Sequence, residues 1–501
     1  MGLVTLLSGF DVRQVPFPDG TEVLEPPVTL PALDGFAKAA ARALEQPVSG
    51  PPLRALLSPH SRVTVVIDDG SYPSPPPKRD ARIDMVDAVA DVLKSVGVPP
   101  ARVRYVLGTG TRRRLRPKEV SEWLGERAAA FDVFCHDAED DMHCVPLTHA
   151  SEGTSVVSRA LVECDLIIHL TLVCAPHQTG LFQLVDGCVS GATARRLNAT
   201  TLFEGETSPL LPDSAWSKAH QAVGQALLKQ VPVFQVAAVL NNALWPRTVA
   251  NLFSSTEALT RPLQMWNSLP EPVRHRTSRL MRTGARPLGV WAGPPDAVAG
   301  PAREAFLRQH EVEATGPADV LVVGVPDLGP FTKGTGQNPL LALHLGLGVL
   351  AQSITDAALV RQGGVVVLAN PLLPRFDVPT HQPYFDFYEQ CLRDEREPAA
   401  LSARFEQRFV TEPRAIDAYR RREAFHPSHP FATWNATWPL RRWAGRIFAA
   451  HADPRVCARF GISAAHDVER ALEKAANFLR NDKPRVRVLG TTPPFAVKVR
   501  S

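Results

Sequence analysis

No stretch of this sequence stays apolar for the length that a bilayer-spanning helix needs, which argues against a membrane partner. Its opening residues, Met1 to Phe10, lack a basic start and run quickly into Asp11 and Arg13, so they do not read as a secretory signal. The seven cysteines form no regular framework, and their odd number implies free thiols in a reducing compartment. A cytoplasmic location is therefore expected. Charge of one sign is also scarce. The 55 basic and 51 acidic residues leave a net +4, too little to imply a nucleic-acid partner. No repeat of solenoid type is present.

What is present suits a large globular protein. The chain has 501 residues, 45% hydrophobic and 21% charged, more than one core usually serves. The β-branched run Val63-Thr64-Val65-Val66-Ile67 reads as a buried parallel strand. Before it, residues 1–60 suit a short hairpin and a helix over 33–45. After it, Arg82–Val96 places Ile83, Val86, Val89, Ala90 and Leu93 on one helical face, with Gly97 as a stop. Strands at 103–107, 131–135, 165–170 and 233–240 alternate with helices at 117–131 and 215–228. A second alternating series begins with the strand 318–325, a helix over 339–352 and the strand 364–369. It continues with one or two charged helices over 384–422 and ends with a strand at 446–450, a helix over 465–478 and a strand at 485–489. The fold class expected is α/β, with two α/β domains, mainly parallel sheets and a cleft between them. The domains are placed at 1–275 and 276–501, with Pro270–Pro301 as the linker region.

Four landmarks stand in order. They are Asp68-Asp69-Gly70-Ser71-Tyr72-Pro73, Gly108-Thr109-Gly110-Thr111-Arg112, the segment Glu163–Ile168 leading to Pro176-His177 and Gly180, and Ala318–Val323 leading to Gln337-Asn338. With the closing segment around Asp467–Ala475, this order resembles the lactate racemase family from about residue 60 to the end. The resemblance implies an isomerase, a racemase or epimerase of hydroxy acids, with its site between two α/β domains. It also implies a nickel-pincer nucleotide attached to a lysine, and two proton-accepting histidines. Several positions depart from that pattern. Tyr72 stands for an arginine, Arg112 for one histidine, and Gly187 for the attachment lysine. Ala199 stands near a metal-binding histidine, His344 for a substrate lysine, and Leu341 for a glutamine. The missing lysine places the pincer cofactor in doubt.

The candidate site residues follow. His177 is the proton-transfer residue. Arg112, which cannot act as a base, is a carboxylate or phosphate clamp. His344 contributes from the facing domain. Asp69, Ser71 and Tyr72 position cofactor or substrate, and Gly108 and Gly110 let backbone amides approach an anion. Some of the arginines of the run 112–116 are expected to be solvated, and Arg112 alone is assigned to the site. The set Cys135, His136, His143, Cys144, Cys174, His177 and Cys188 matches no zinc-module spacing, so no metal residue is named. Trp434, Trp438 and Trp443 are second-tier candidates for lining the cleft. The expected partner is a small-molecule carboxylate or a nucleotide. Three readings stay open: a divergent isomerase, a non-catalytic nucleotide- or metabolite-binding relative, and a different nucleotide-dependent enzyme using Gly108–Arg112 as a phosphate loop.

Overall fold

Alternation of β-branched runs with amphipathic helices produces two large sheets. The computed structural model describes residues 2–69, 77–125, 133–140, 142–149, 153–202, 208–245, 260–327, 338–490 and 496–500, excluding the side chains at 148–149, 153–154, 260–263, 271, 275 and 278–279. In the first half of the chain the strands are β1 Gly2–Gly9, β2 Asp11–Phe17, β3 Glu22–Leu24, β4 Val63–Asp68, β5 Val103–Gly108, β6 Val133–Cys135, β7 Cys144–His149, β8 Gly153–Ser158, β9 Leu166–Val173 and β10 Val233–Leu240. Those of the second half are β11 Pro287–Gly293, β12 Glu311–Thr315, β13 Ala318–Pro326, β14 Val360–Ala369, β15 Arg446–Ala450, β16 Ser463–Ala465, β17 Val486–Leu489 and β18 Ala496–Arg500.

The first sheet has the order β11-β10-β9-β4-β5-β6. All its pairs are parallel except β10 with β11. Every residue of β4 is buried, as a strand covered on both faces must be. Val65 and Ile67 pack with the helix Ala81–Val96, whereas Val66 packs with the helix Phe182–Cys188. Alternate residues point to opposite faces, so these helices cover opposite sides of the sheet. Chain order reverses between β4 and β9, and open α/β sheets bind ligands at the carboxyl ends beside such a reversal. The helix Ala81–Val96 starts where the Asp80 side chain accepts from the Arg82 amide, and stops at Gly97, which adopts φ 83°.

The second sheet runs β16-β15-β14-β13-β1-β2, with β17 pairing both β13 and β3. Its pairs are parallel apart from the hairpin β1–β2. Sheet membership does not divide at residues 275 and 276. The first three strands belong to the second sheet, and β11 belongs to the first. The segment taken as a linker is built structure: a helix Glu271–Leu280, then β11, then a helix Pro295–His310. Pro295 sits in the first turn, where its missing N–H costs nothing. Val298, Ala302 and Phe306 of that helix bury against Ala237 and Val239 of β10.

Some of the other expected elements appear with altered ends. The 339–352 helix is α-helical only to Leu343, widens into a π turn over His344–Val349 and closes as a 3-10 turn to Gln352. The charged stretch after Tyr384 breaks into short helices restarted at Pro398 and Pro413. Trp434, on the helix His429–Trp443, is 1% exposed among Phe387, Phe431 and Phe460. It is core and does not line a cleft. Among the described residues, no helix is long and apolar enough to cross a membrane.

Candidate functional site

Two adjacent aspartates close β4 and take different partners. Asp68 Oδ1 accepts from His169 Nε2 at 2.8 Å, whereas Asp69 pairs with the Nε of Arg112. Their backbone carbonyls are both held by Arg82, at 3.1 and 2.7 Å. Arg82 is itself buried in an ion pair with Asp80 at 2.6 Å, and Trp123 Nε1 donates to the same carboxylate at 2.8 Å. The strand end is therefore rigidly placed before any ligand arrives.

The glycine loop after β5 is packed rather than open. A Cβ on Gly110 would lie 2.5 Å from the Asp186 carbonyl oxygen, and Gly108 lies against Gly187. The amides of Thr109, Gly110 and Arg112 donate to the carbonyls of Leu107, Gly187 and Thr109. Those three amides are thus not free to cradle an anion. Gly108 and Gly110 allow a close approach of strand end and helix, which corrects the phosphate-loop reading of this segment.

Arg112 is shared between two carboxylates. Its Nε reaches Asp69, and both terminal nitrogens reach Asp186 Oδ2 at 3.2 Å. Burial works to raise the Asp186 carboxyl, but the Arg112 guanidinium and His220 outweigh it and hold it well below the usual carboxylate range. A guanidinium so engaged is not the free carboxylate clamp expected of it. Of its neighbours, Arg116 is exposed as expected, whereas Arg113 and Arg114 are engaged. Arg113 pairs with Glu119 at 2.7 Å and reaches the Arg422 carbonyl, and Arg114 pairs with Asp137 at 2.8 Å and reaches the Arg420 carbonyl. Tyr419 completes this fastening, donating to the Gly110 carbonyl at 3.0 Å and accepting from the Ala138 amide at 3.1 Å.

His177 sits in the turn between β9 and the helix Phe182–Cys188. It is 7% exposed, and its Nδ1 has no partner among the described residues. Its ring meets Phe182 edge-on at 5.2 Å and Trp216 at 5.6 Å. Burial lowers its pKa to about 3, so it is neutral near pH 7. Beneath it, His220 Nε2 faces Asp186 Oδ1 at 3.8 Å while Nδ1 meets the Trp216 carbonyl oxygen at 2.8 Å. From the C-terminal half comes His429, whose Nδ1 meets the Tyr384 hydroxyl at 2.5 Å. Burial, then the Arg112 charge, push the His429 pKa well below its ordinary value. His344 adds a third neutral imidazole, lowered by burial to about 4, with its Nδ1 unpartnered among the described residues. Its electrostatic tie to this group runs through His429.

The structure therefore gathers Asp69, Arg112 and His177, with His344 at the margin. Ser71 and Tyr72 lie outside the described residues. Asp186, His220, His429 and Tyr384 were not anticipated. A histidine on the inward face of the helix Ala215–Leu228, in line with Ala219, Val223 and Leu227, was a readable signal for His220. Asp186 stood in plain view within the apolar run Phe182–Cys188. Two shallow surface hollows lie away from the group, along the helix Pro295–His310 and at the amino ends of β4 and β5.

Comparison with known proteins finds a family match over the first part of the chain. Residues 9–181 match the lactate racemase N-terminal domain. Over that stretch the chain is similar to the lactate racemase family. The lactate racemase apoprotein of Thermoanaerobacterium thermosaccharolyticum is similar over 99% of this chain and 100% of its own, with TM-score 0.65 and 14% identity. A Thermotoga maritima protein is similar over 92% of this chain and 97% of its own, with TM-score 0.52 and 11% identity. At these identities the structural likeness concerns the fold. No curated protein sequence matches.

The similarity to lactate racemase raises the question of the tethered nickel-pincer nucleotide, and the residues here do not fit it. Residues 180–187 contain no lysine. At Gly187, where the tether is expected, an added Cβ would lie 2.8 Å from both Gly108 Cα and the Gly108 carbonyl oxygen. The position has no room for a side chain. Asn198, beside the expected metal-binding position, accepts from Trp216 Nε1 at 3.3 Å. Among the described residues, no three His, Cys, Asp or Glu side chains converge as a metal site.

Proposed function

We propose that this lactate racemase-like protein binds a small hydroxy acid or related carboxylate at the carboxyl end of its first sheet, without a covalently tethered nucleotide. The single observation that carries this reading is His177 Nδ1, buried and without a partner among the described residues, beside the point where strand order reverses. With Arg112 set against Asp69 and Asp186, that trio carries an excess of one negative charge. An arriving carboxylate raises the pKa values of nearby neutral imidazoles, so in mild acid binding takes up protons on the group formed by His177, His429 and His344. Isothermal titration with D- and L-lactate and related acids, in buffers of different ionisation enthalpy, tests this. Proton uptake on binding, and loss of binding in His177→Ala, are expected. Unchanged affinity in that variant removes the assignment, as does an intact mass carrying an added nucleotide with stoichiometric nickel.

A second reading has one observation in its favour. Turnover as a racemase or epimerase needs two bases, and Arg112 cannot supply one. His429, neutral and within the electrostatic reach of Arg112 and Asp186, is the residue available beside His177. Chiral chromatography of a hydroxy acid incubated with the protein tests it. No interconversion with wild-type protein, alongside measurable binding, leaves the binding reading alone.

A further inference from the structure

A chain of buried polar side chains crosses the centre of the first sheet and ends on the turn that carries His177. It starts at Asp68 Oδ1, which accepts from His169 Nε2 at 2.8 Å. The Gln235 amide donates to His169 Nδ1 at 3.0 Å and to the Gly180 carbonyl oxygen at 2.5 Å. Those two bonds use both hydrogens of the amide and fix His169 as the Nε2–H tautomer, the form that donates to Asp68. His169 and Gln235 are register neighbours on β9 and β10, and none of the three residues exceeds 6% exposure.

We infer that Asp68, His169 and Gln235 are positioning residues that hold the His177 turn against the end of the sheet. The inference rests on the reading of His177 as the ligand-facing acceptor. The turn spans Cys174 to Gly180. Gln178 Oε1 accepts from the Cys174 amide at 3.2 Å, the Gln178 amide donates to the Ala175 carbonyl at 3.0 Å, and Gly180 turns the chain with φ 67°. Gln235 supplies its side-chain tie to the sheet. Stability alone gives no reason for such a chain, because an apolar trio of similar volume avoids its desolvation cost. Asp68 Oδ2 is left without a partner among the described residues, so the carboxylate is not there for its own satisfaction.

The test is Gln235→Leu, which keeps volume and removes both donors. Diethyl pyrocarbonate labelling, read by peptide mass mapping on ligand-free protein, reports the reactivity of each histidine. We expect His177 to react at least fivefold faster in Gln235→Leu, while His136, buried elsewhere on the first sheet, stays protected. The control is Thr64→Val, which removes the 2.6 Å bond from Thr64 to the Ala160 carbonyl at the other end of β4. Unchanged His177 reactivity in Gln235→Leu overturns the inference, and so does an equal rise in Thr64→Val. If Gln235→Leu does not fold, His169→Gln is read in the same way. His177→Ala with unaltered lactate affinity defeats the binding reading and leaves this one standing, because the labelling is done without ligand.

Discussion

Gly187 and Gly108 meet backbone to backbone: a Cβ on Gly187 would lie 2.8 Å from Gly108 Cα, whereas a Cβ on Gly108 would lie 3.3 Å from Gly187 Cα. The contact is asymmetric, and so is the expected cost. In Gly187→Ala the helix-propensity gain of about 1 kcal/mol is outweighed by overpacking of about 1–3 kcal/mol against a backbone that cannot yield. Gly108→Ala needs a shift of only a few tenths of an ångström and costs less. Urea unfolding of both variants checks the order. A Gly187→Ala protein as stable as wild type removes the argument that no tethering side chain fits. Gly187→Lys is expected to fold poorly and to gain no nucleotide.

Arg112 holds Asp69 and Asp186 together, so its removal leaves carboxylates facing each other. The depressed Asp186 pKa stabilises the fold above the ordinary carboxylate range, and that contribution is lost as pH falls through the lowered value. Arg112→Gln abolishes it. The expected loss is about 3 kcal/mol near pH 7, because one partner of a largely buried pair is removed. The difference from wild type should shrink toward pH 4, where the unpaired carboxyl in the variant takes up a proton. Denaturant titrations at the two pH values measure this. An equal difference at both assigns the loss to packing instead of charge.

Much of the fold was legible because its elements follow local rules. The helix Ala215–Leu228 and the strand Val233–Leu240 appear with the ends read from periodicity. The misreadings have physical causes. Pro295 and Pro301 suggest a linker, yet one opens a helix and the other lies inside it, so proline density alone misleads. Strands β1 to β3 joined the far sheet through pairing with β13 and β17, and no local pattern encodes a partner in the opposite half of the chain. The site was half legible. Asp69, Arg112 and His177 stand at strand ends, where ligand residues belong. That Arg112 is already paired depends on Asp186, 74 residues later, and the sequence carries no sign of it.

Buried neutral histidines should make the fold sensitive to mild acid. The His177 pKa is lowered to about 3, and those of His136, His310 and His344 to about 4, in each case chiefly by burial. Their stabilisation is complete above the unfolded value near 6.5 and is lost as pH falls toward the folded values. Unfolding free energy should therefore begin to fall below about pH 6.5, by about 1.4 kcal/mol per pH unit for each such histidine. In His177→Phe the slope between pH 6 and 4.5 should be shallower by one histidine. Urea titrations across that range check it, and an unaltered slope means that His177 is solvated in the folded protein.

Tyr419 is fully buried, and its hydroxyl bridges the Gly110 carbonyl and the Ala138 amide, two loops of the first sheet reached from a helix 300 residues along the chain. Around it, the His426 amide donates to the Thr111 carbonyl at 3.1 Å, and His426 Nε2 meets Glu139 Oε1 at 2.7 Å. Tyr419→Phe keeps the ring but leaves a buried donor and a buried acceptor unpaired, a cost of about 1–3 kcal/mol. The loosening should be local. Hydrogen exchange should quicken at Gly110, Ala138 and His426, while the amides of β4 and β9 keep their protection. Arg112 lies two residues from Gly110, so lactate affinity should fall along with that protection. Quickened exchange with no change in affinity would show that this fastening holds the halves of the chain together without shaping the site.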